Sequence, residues 1–135
     1  MVFQVMIVED SELMQQDILD LLRNSMPELE IVATAINGRI ALEQLDELPA
    51  LDLILLDVEM PEMSGLEFLR HAKLRCRAKI LILSSVTNIG SPNAIKARKL
   101  GADAIVTKPS GAVSMDLEQK RGTELAQVIR KLLNF

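Results

Sequence analysis

Five side chains in this sequence have the types needed for joint ion and phosphate chemistry: the adjacent acids Glu9 and Asp10, the acid Asp57, the hydroxyl of Ser84 and the ammonium of Lys108. Each comes at the end of a short apolar run. Three carboxylates in one crevice repel each other, and burial raises their pKa values unless a cation offsets them. A hard divalent ion suits such a set. Magnesium or manganese takes oxygen ligands and keeps waters, whereas softer metals need nitrogen or sulfur ligands that one His and one Cys cannot supply. A carboxylate beside such an ion can attack phosphorus, while an ammonium and a hydroxyl offset charge on the phosphoryl oxygens. The chemistry expected is therefore metal-dependent acceptance of a phosphoryl group on one of these carboxylates, with the Lys108 ammonium and the Ser84 hydroxyl available to contact it.

That chemistry requires residues far apart in sequence to meet. The apolar runs Phe3–Val8, Glu30–Thr34, Leu53–Leu56, Lys79–Leu83 and Ala104–Thr107 alternate with amphipathic segments, the rhythm of repeated βα units and a parallel sheet. Three are nearly continuous Val, Ile and Leu, as strands covered on both faces must be. Met14, Ile18, Leu21 and Leu22 recur at helical spacing behind Ser11, a capping hydroxyl. Ala41, Leu45 and Leu48 mark a second helix; Leu66, Leu69 and the stem of Lys73 mark a third beyond Gly65. Ser91-Pro92 and Gly101 bracket a fourth, and Leu125, Val128, Ile129, Leu132 and Leu133 define the last. The polar stretch from Ser110 to Gly122 reads as a loop or a partner surface. The fold class expected is α/β, a doubly wound five-stranded parallel sheet of flavodoxin-like order 2-1-3-4-5 with helices on both faces. In such a sheet ligands bind beyond the carboxyl ends of the strands where the order reverses, which gathers the five side chains.

Composition narrows the classes further. With 135 residues, 49% hydrophobic, the chain fits one α/β-sized domain over residues 1–135. A net charge of -4 and the absence of Trp and Tyr argue against a phosphate-seeking or base-stacking nucleic-acid surface. Met1 to Val8 is too short an apolar run for a signal core or a membrane span, and the lone Cys76 fits a reducing, cytoplasmic setting. His71 has no acid or serine at triad-like spacing, and Cys76 reads as a small packing residue. Lys96, Arg98 and Lys99 read as a solvated basic face that could also meet a partner.

The quintet Glu9-Asp10, Asp57, Ser84 and Lys108-Pro109, with Asp57-Val58-Glu59-Met60-Pro61 running on to Gly65, resembles the receiver domain of bacterial two-component response regulators. The resemblance spans essentially the whole chain. It implies that Asp57 is the phosphoacceptor and that Asp10, Asp57 and the main-chain carbonyl of Glu59 ligate Mg2+, with Glu9 orienting metal-bound water. It also implies that Ser84 and Lys108 contact the phosphoryl group and that Lys108-Pro109 is a cis peptide. A sensor histidine kinase or small phosphodonors would supply phosphate. The output would pass to an effector domain or partner protein through the fourth helix, fifth strand and fifth helix, with no direct nucleic-acid contact and no membrane insertion. Leu83-Ser84-Ser85-Val86-Thr87 and Val106-Thr107-Lys108-Pro109-Ser110 are similar to the receiver half of chemotaxis protein-glutamate methylesterases. In those proteins a separate esterase domain carries the catalytic triad, and no glycine-serine nucleophile motif occurs here. The chain therefore reads as a regulatory domain without its effector, or alternatively as a stand-alone receiver.

Two residues depart from the family pattern. Ile105 stands where an aromatic side chain usually couples phosphorylation to the outer face, and Glu59 adds an acid beside the acceptor, which is expected to alter the lifetime of the aspartyl phosphate. A phosphatase of the haloacid-dehalogenase type is the enzymatic alternative. It needs a second acid two residues after its nucleophile, which Glu59 imitates only loosely, and the Glu9-Asp10 pair argues against it.

Overall fold

A computed structural model describes residues 2–57, 65–85, 90–109 and 115–135, the side chains of 115–118 excepted. The chain alternates strand and helix throughout: β1 (Phe3–Val8), α1 (Glu12–Ser25), β2 (Leu29–Ala35), α2 (Gly38–Leu45), β3 (Leu53–Asp57), α3 (Gly65–Arg75), β4 (Lys79–Ser84), α4 (Pro92–Lys99), β5 (Ala104–Thr107) and α5 (Met115–Leu133). All strand pairings are parallel, and the sheet order is β2-β1-β3-β4-β5. The order expected from the sequence is thus the order found. β1 and β3 lie side by side at the reversal, with Val5 opposite Leu53 and Val8 opposite Leu56.

The two-residue period of each strand sorts its side chains onto two faces. Met6, Val8, Ile54, Leu56, Ile80 and Ile82 pack against Phe68, Leu69 and Ala72 of α3, Ala41 of α2 and Ala97 of α4. On the opposite face Val5, Ile7, Leu55, Leu81 and Leu83 meet Ile18 and Leu22 of α1 and Leu125 and Ile129 of α5. Burying each such Leu or Ile stabilises the fold by roughly 1.5–3 kcal/mol. The three central strands, buried on both faces, therefore form a rigid plate whose ends hold the polar residues.

Local signals fix the helix ends. Ser11 caps α1 by accepting from the Met14 N–H at 3.2 Å, and Ser91 caps α4 by accepting from Ala94 at 3.3 Å, with Pro92 in the first turn. Asn37, not singled out from the sequence, caps α2 by accepting from Ile40 at 2.8 Å. Gly101, beyond α4, has φ +108°, the left-handed ending its position suggested.

Three expectations need correction. Residues 115–122 belong to α5 rather than to a loop, in a helix that packs along α1. Leu48 lies beyond the end of α2 at Leu45, although it still packs on the core under that helix. No cis peptide occurs among the described residues, so Lys108-Pro109 is trans. A cis bond is not needed to aim Lys108, since its N–H extends the β4·β5 ladder by donating to the Ser84 carbonyl at 2.9 Å.

Candidate functional site

The carboxyl ends of β1, β3, β4 and β5 converge on one rim of the sheet. Glu9 follows β1 and is 0% exposed; Asp57 closes β3 at 2% and Ser84 closes β4 at 1%. Buried polar groups need partners, and here they find one another. Lys108, directly after β5, sends its ammonium across the rim to lie 2.8 Å from Glu9 Oε1 and 3.2 Å from Asp57 Oδ2. Asp10 is exposed beside them, and one carboxylate oxygen from each of Glu9, Asp10 and Asp57 lies within 4.8 Å of the others. Among the described residues, this is the group whose ligand types and spacing suit a metal ion.

The two oxygens of Glu9 are held differently. Oε2 accepts from the Ser11 N–H at 3.0 Å, within the turn that begins α1. Oε1 is buried and lies 2.8 Å from the Lys108 ammonium as an ion pair. Burial is the main cause that pushes the Glu9 carboxyl up from 4.5 to about 7, reinforced by hydrogen bonding with Asp10 and by the charge on Asp57. Lys108 and the Ser11 N–H oppose that rise. Burial alone would lower the Lys108 ammonium, yet Glu9 and Asp57 outweigh it and hold its pKa above the ordinary lysine value. The rim thus carries more negative charge than one lysine can neutralise. An all-oxygen donor set with surplus negative charge fits a hard divalent cation.

The structure brings together Glu9, Asp10, Asp57 and Lys108, and it places Ser84 at the same rim one residue beyond the Asp57–Leu83 pairing. Glu59, Val58, Met60, Pro61, Val86, Thr87 and Ser110 lie outside the described residues. Ile105 is half-buried and lines a cleft of about 210 Å³ with Gly90, Ala94, Ile95 and Arg98. Lys96, Arg98 and Lys99 are exposed on α4, as expected. Sequence reading missed Gln15, whose amide donates to the Glu9 carbonyl at 2.7 Å and to the Ala35 carbonyl at 2.9 Å. No pattern marks it, because a glutamine in a helix's first turn is ordinary and the contact exists only in three dimensions.

An open parallel sheet with an acid cluster and a lysine at its topological switch point defines the doubly wound class, in which that rim is where ligands bind. The chain belongs to the response regulator receiver domain family, whose model matches residues 5–120. It is similar to protein-glutamate methylesterase/protein-glutamine glutaminase of Halalkalibacterium halodurans, at 42% identity over 93% of this chain and 36% of that protein. The corresponding protein of Treponema pallidum is 43% identical over 97% of this chain and 30% of its own length. The chain therefore spans about a third of the curated relatives it matches. Among solved structures, the response regulator domain of Thermotoga maritima CheB superposes with a TM-score of 0.82 at 31% identity, covering 100% of this chain and 98% of that one. A chain in the complex of the P1 domain of CheA3 with CheY6 from R. sphaeroides gives a TM-score of 0.81 at 50% identity, covering 98% of each.

Among the described residues, no helix is long and apolar enough to cross a membrane.

Proposed function

We propose that this domain is a phosphorylation-activated switch of a chemotaxis-type two-component relay, accepting a phosphoryl group on Asp57. The observation that carries the reading is the Lys108 ammonium, shared between Glu9 and Asp57 at 2.8 and 3.2 Å on the strand-end rim. Asp10, Asp57 and the carbonyl of Glu59 would hold Mg2+ or Mn2+, with Glu9 orienting its bound water, and the ion when bound would offset the charge of the incoming phosphoryl oxygens. An Asp57 carboxylate oxygen forms the new bond to phosphorus as the bond to the donor's leaving group breaks, and that group departs with the bonding electrons. Lys108 stays protonated and pairs with a phosphoryl oxygen; the Ser84 hydroxyl donates to another. Because β4 carries Ser84, its inward pull would be felt at α4 and β5, and the face formed by α4, β5 and α5 would pass the signal to an effector domain or partner protein.

The donor would be a phosphorylated domain of a sensor histidine kinase. The similarity to a chain in complexes with the P1 domain of CheA3, one of them with that domain phosphorylated, supports this. The methylesterase relatives support a regulatory role over an esterase domain.

Incubation with acetyl phosphate and Mg2+ followed by intact mass spectrometry tests the proposal. The wild type is expected to gain one phosphoryl group and Asp57→Asn none; equal labelling of both would refute Asp57 as the acceptor. Excess phosphomonoester should show negligible steady turnover, which separates a switch from a phosphatase.

A further inference from the structure

Where β1 and β2 part, the buried Glu9 carbonyl loses the ladder that would have served it. The last paired residues are Val8 and Ala35, after which the Glu9 N–H makes one more bond to the Ala35 carbonyl at 2.9 Å. Beyond it, β1 turns into α1 and β2 turns toward the Asn37 cap, so the Glu9 carbonyl has no strand partner. Glu9 and Ala35 are both buried, and a buried carbonyl without a donor is costly. The half-buried Gln15 amide meets that need, spending its two hydrogens on the two carbonyls at 2.7 and 2.9 Å. Its own backbone is fixed in the first turn of α1 by a bond from its N–H to the Ser11 carbonyl at 2.9 Å.

We infer that Gln15 is a positioning residue for the acid cluster, holding Glu9 and Asp10 in the geometry that receives a divalent cation; this rests on the cation-assisted reading above. The peptide unit joining Glu9 to Asp10 is planar, so fixing its oxygen fixes the plane from which Asp10 departs. The same plane sets the turn in which the Ser11 N–H reaches Glu9 Oε2. Without the amide, the peptide is free to rotate toward water, and the exposed Asp10 carboxylate loses its fixed relation to Glu9 and Asp57. Partners that orient metal ligands typically influence affinity by 10- to 100-fold when removed.

Manganese titration followed by electron paramagnetic resonance tests this, with melting temperature as the control for folding. Gln15→Met keeps the length and removes both donors, and is expected to weaken Mn2+ binding by about tenfold or more. Gln15→Glu keeps the shape but sets a carboxylate against two carbonyls, so it repeats the test should the Met variant fail to fold. Gln15→Arg restores donors and is expected to bind Mn2+ within about threefold of wild type. Hydrogen exchange at the Asp10 amide should quicken in the Met and Glu variants and not in the Arg variant. A folded Met or Glu variant with wild-type affinity, or an Arg variant as weak as they are, overturns the assignment. Asp10→Asn separates the two levels of the argument: wild-type binding that this change abolishes, with no effect of Gln15→Met, sinks only the positioning role. A wild type that binds no Mn2+ sinks the cation reading with it.

Discussion

Glu9 and Asp57 share one ammonium, and that sharing makes Lys108 the residue with most to lose. In Lys108→Met the stem can still pack, but two buried carboxylates are left without their cation and the incoming phosphoryl oxygens without theirs. Removing one pre-aimed charge-stabilising group commonly costs about 100- to 1,000-fold in rate. Autophosphorylation of Lys108→Met by acetyl phosphate should therefore slow by roughly two orders of magnitude, read as the initial rate by mass spectrometry. A rate within a few-fold of wild type would show that Lys108 balances the resting acids and does nothing for transfer. Asp57, Ser84 and Lys108 were legible in the sequence because each directly follows a run that can only be a strand. Gln15 was not, since its partners are backbone carbonyls that carry no sequence identity. Ile105 was legible as a departure, and it lies half-buried against the α4 cleft.

At the scale of elements, two glycines with opposite physical roles give opposite expectations. Gly101 ends the α4 turn with φ +108°, and a Cβ there would also meet Lys73 Cε at 3.2 Å. The lysine tip can move, but the backbone conformation cannot be relieved, so Gly101→Ala should cost roughly 1–2 kcal/mol. Gly122 lies inside α5, where a Cβ would come 3.1 Å from Leu21 Cδ1 of α1. Leu21 is only half-buried and borders the open groove between the two helices, so it can yield. Alanine gains about 1 kcal/mol over glycine in a helix interior. Gly122→Ala is expected to stabilise by about 0.5 kcal/mol and Gly101→Ala to destabilise, measured as opposite shifts of the urea midpoint. A large loss in Gly122→Ala would mean that Leu21 is locked against α5. The same glycine explains why the start of α5 was misread: a mid-helix glycine among polar residues looks like a loop, and its packing use appears only once α1 lies beside it. The strands and the final helix were legible because their apolar periods are long and uninterrupted.

For the whole molecule, the acid cluster ties folding to pH and to the cation. Glu9 titrates at about 7 when folded against an ordinary value of 4.5, so between those values the native state holds a proton that the unfolded chain has released. Stability then falls as pH rises, because it rises only where the unfolded state binds more protons. The contribution is fully present below pH 4.5 and is lost as pH climbs through 7, at most roughly 3 kcal/mol in all. For a chain of this length that corresponds to a melting shift of roughly 10 °C. Other carboxylates impose slopes of their own, so the readout is the difference between wild type and Glu9→Gln in buffer containing a chelator. The wild type should lose ground to the variant steadily from pH 4.5 to 7. Saturating Mg2+ should reverse the order: the ion favours the ionised cluster, removes the proton from Glu9, and adds about 2.7 kcal/mol at a hundred times its dissociation constant. Calorimetric melting curves at several pH values, with and without Mg2+, separate these effects. Parallel pH profiles for wild type and Glu9→Gln under both conditions would mean that Glu9 titrates alike in the folded and unfolded chain and links neither pH nor the cation to folding.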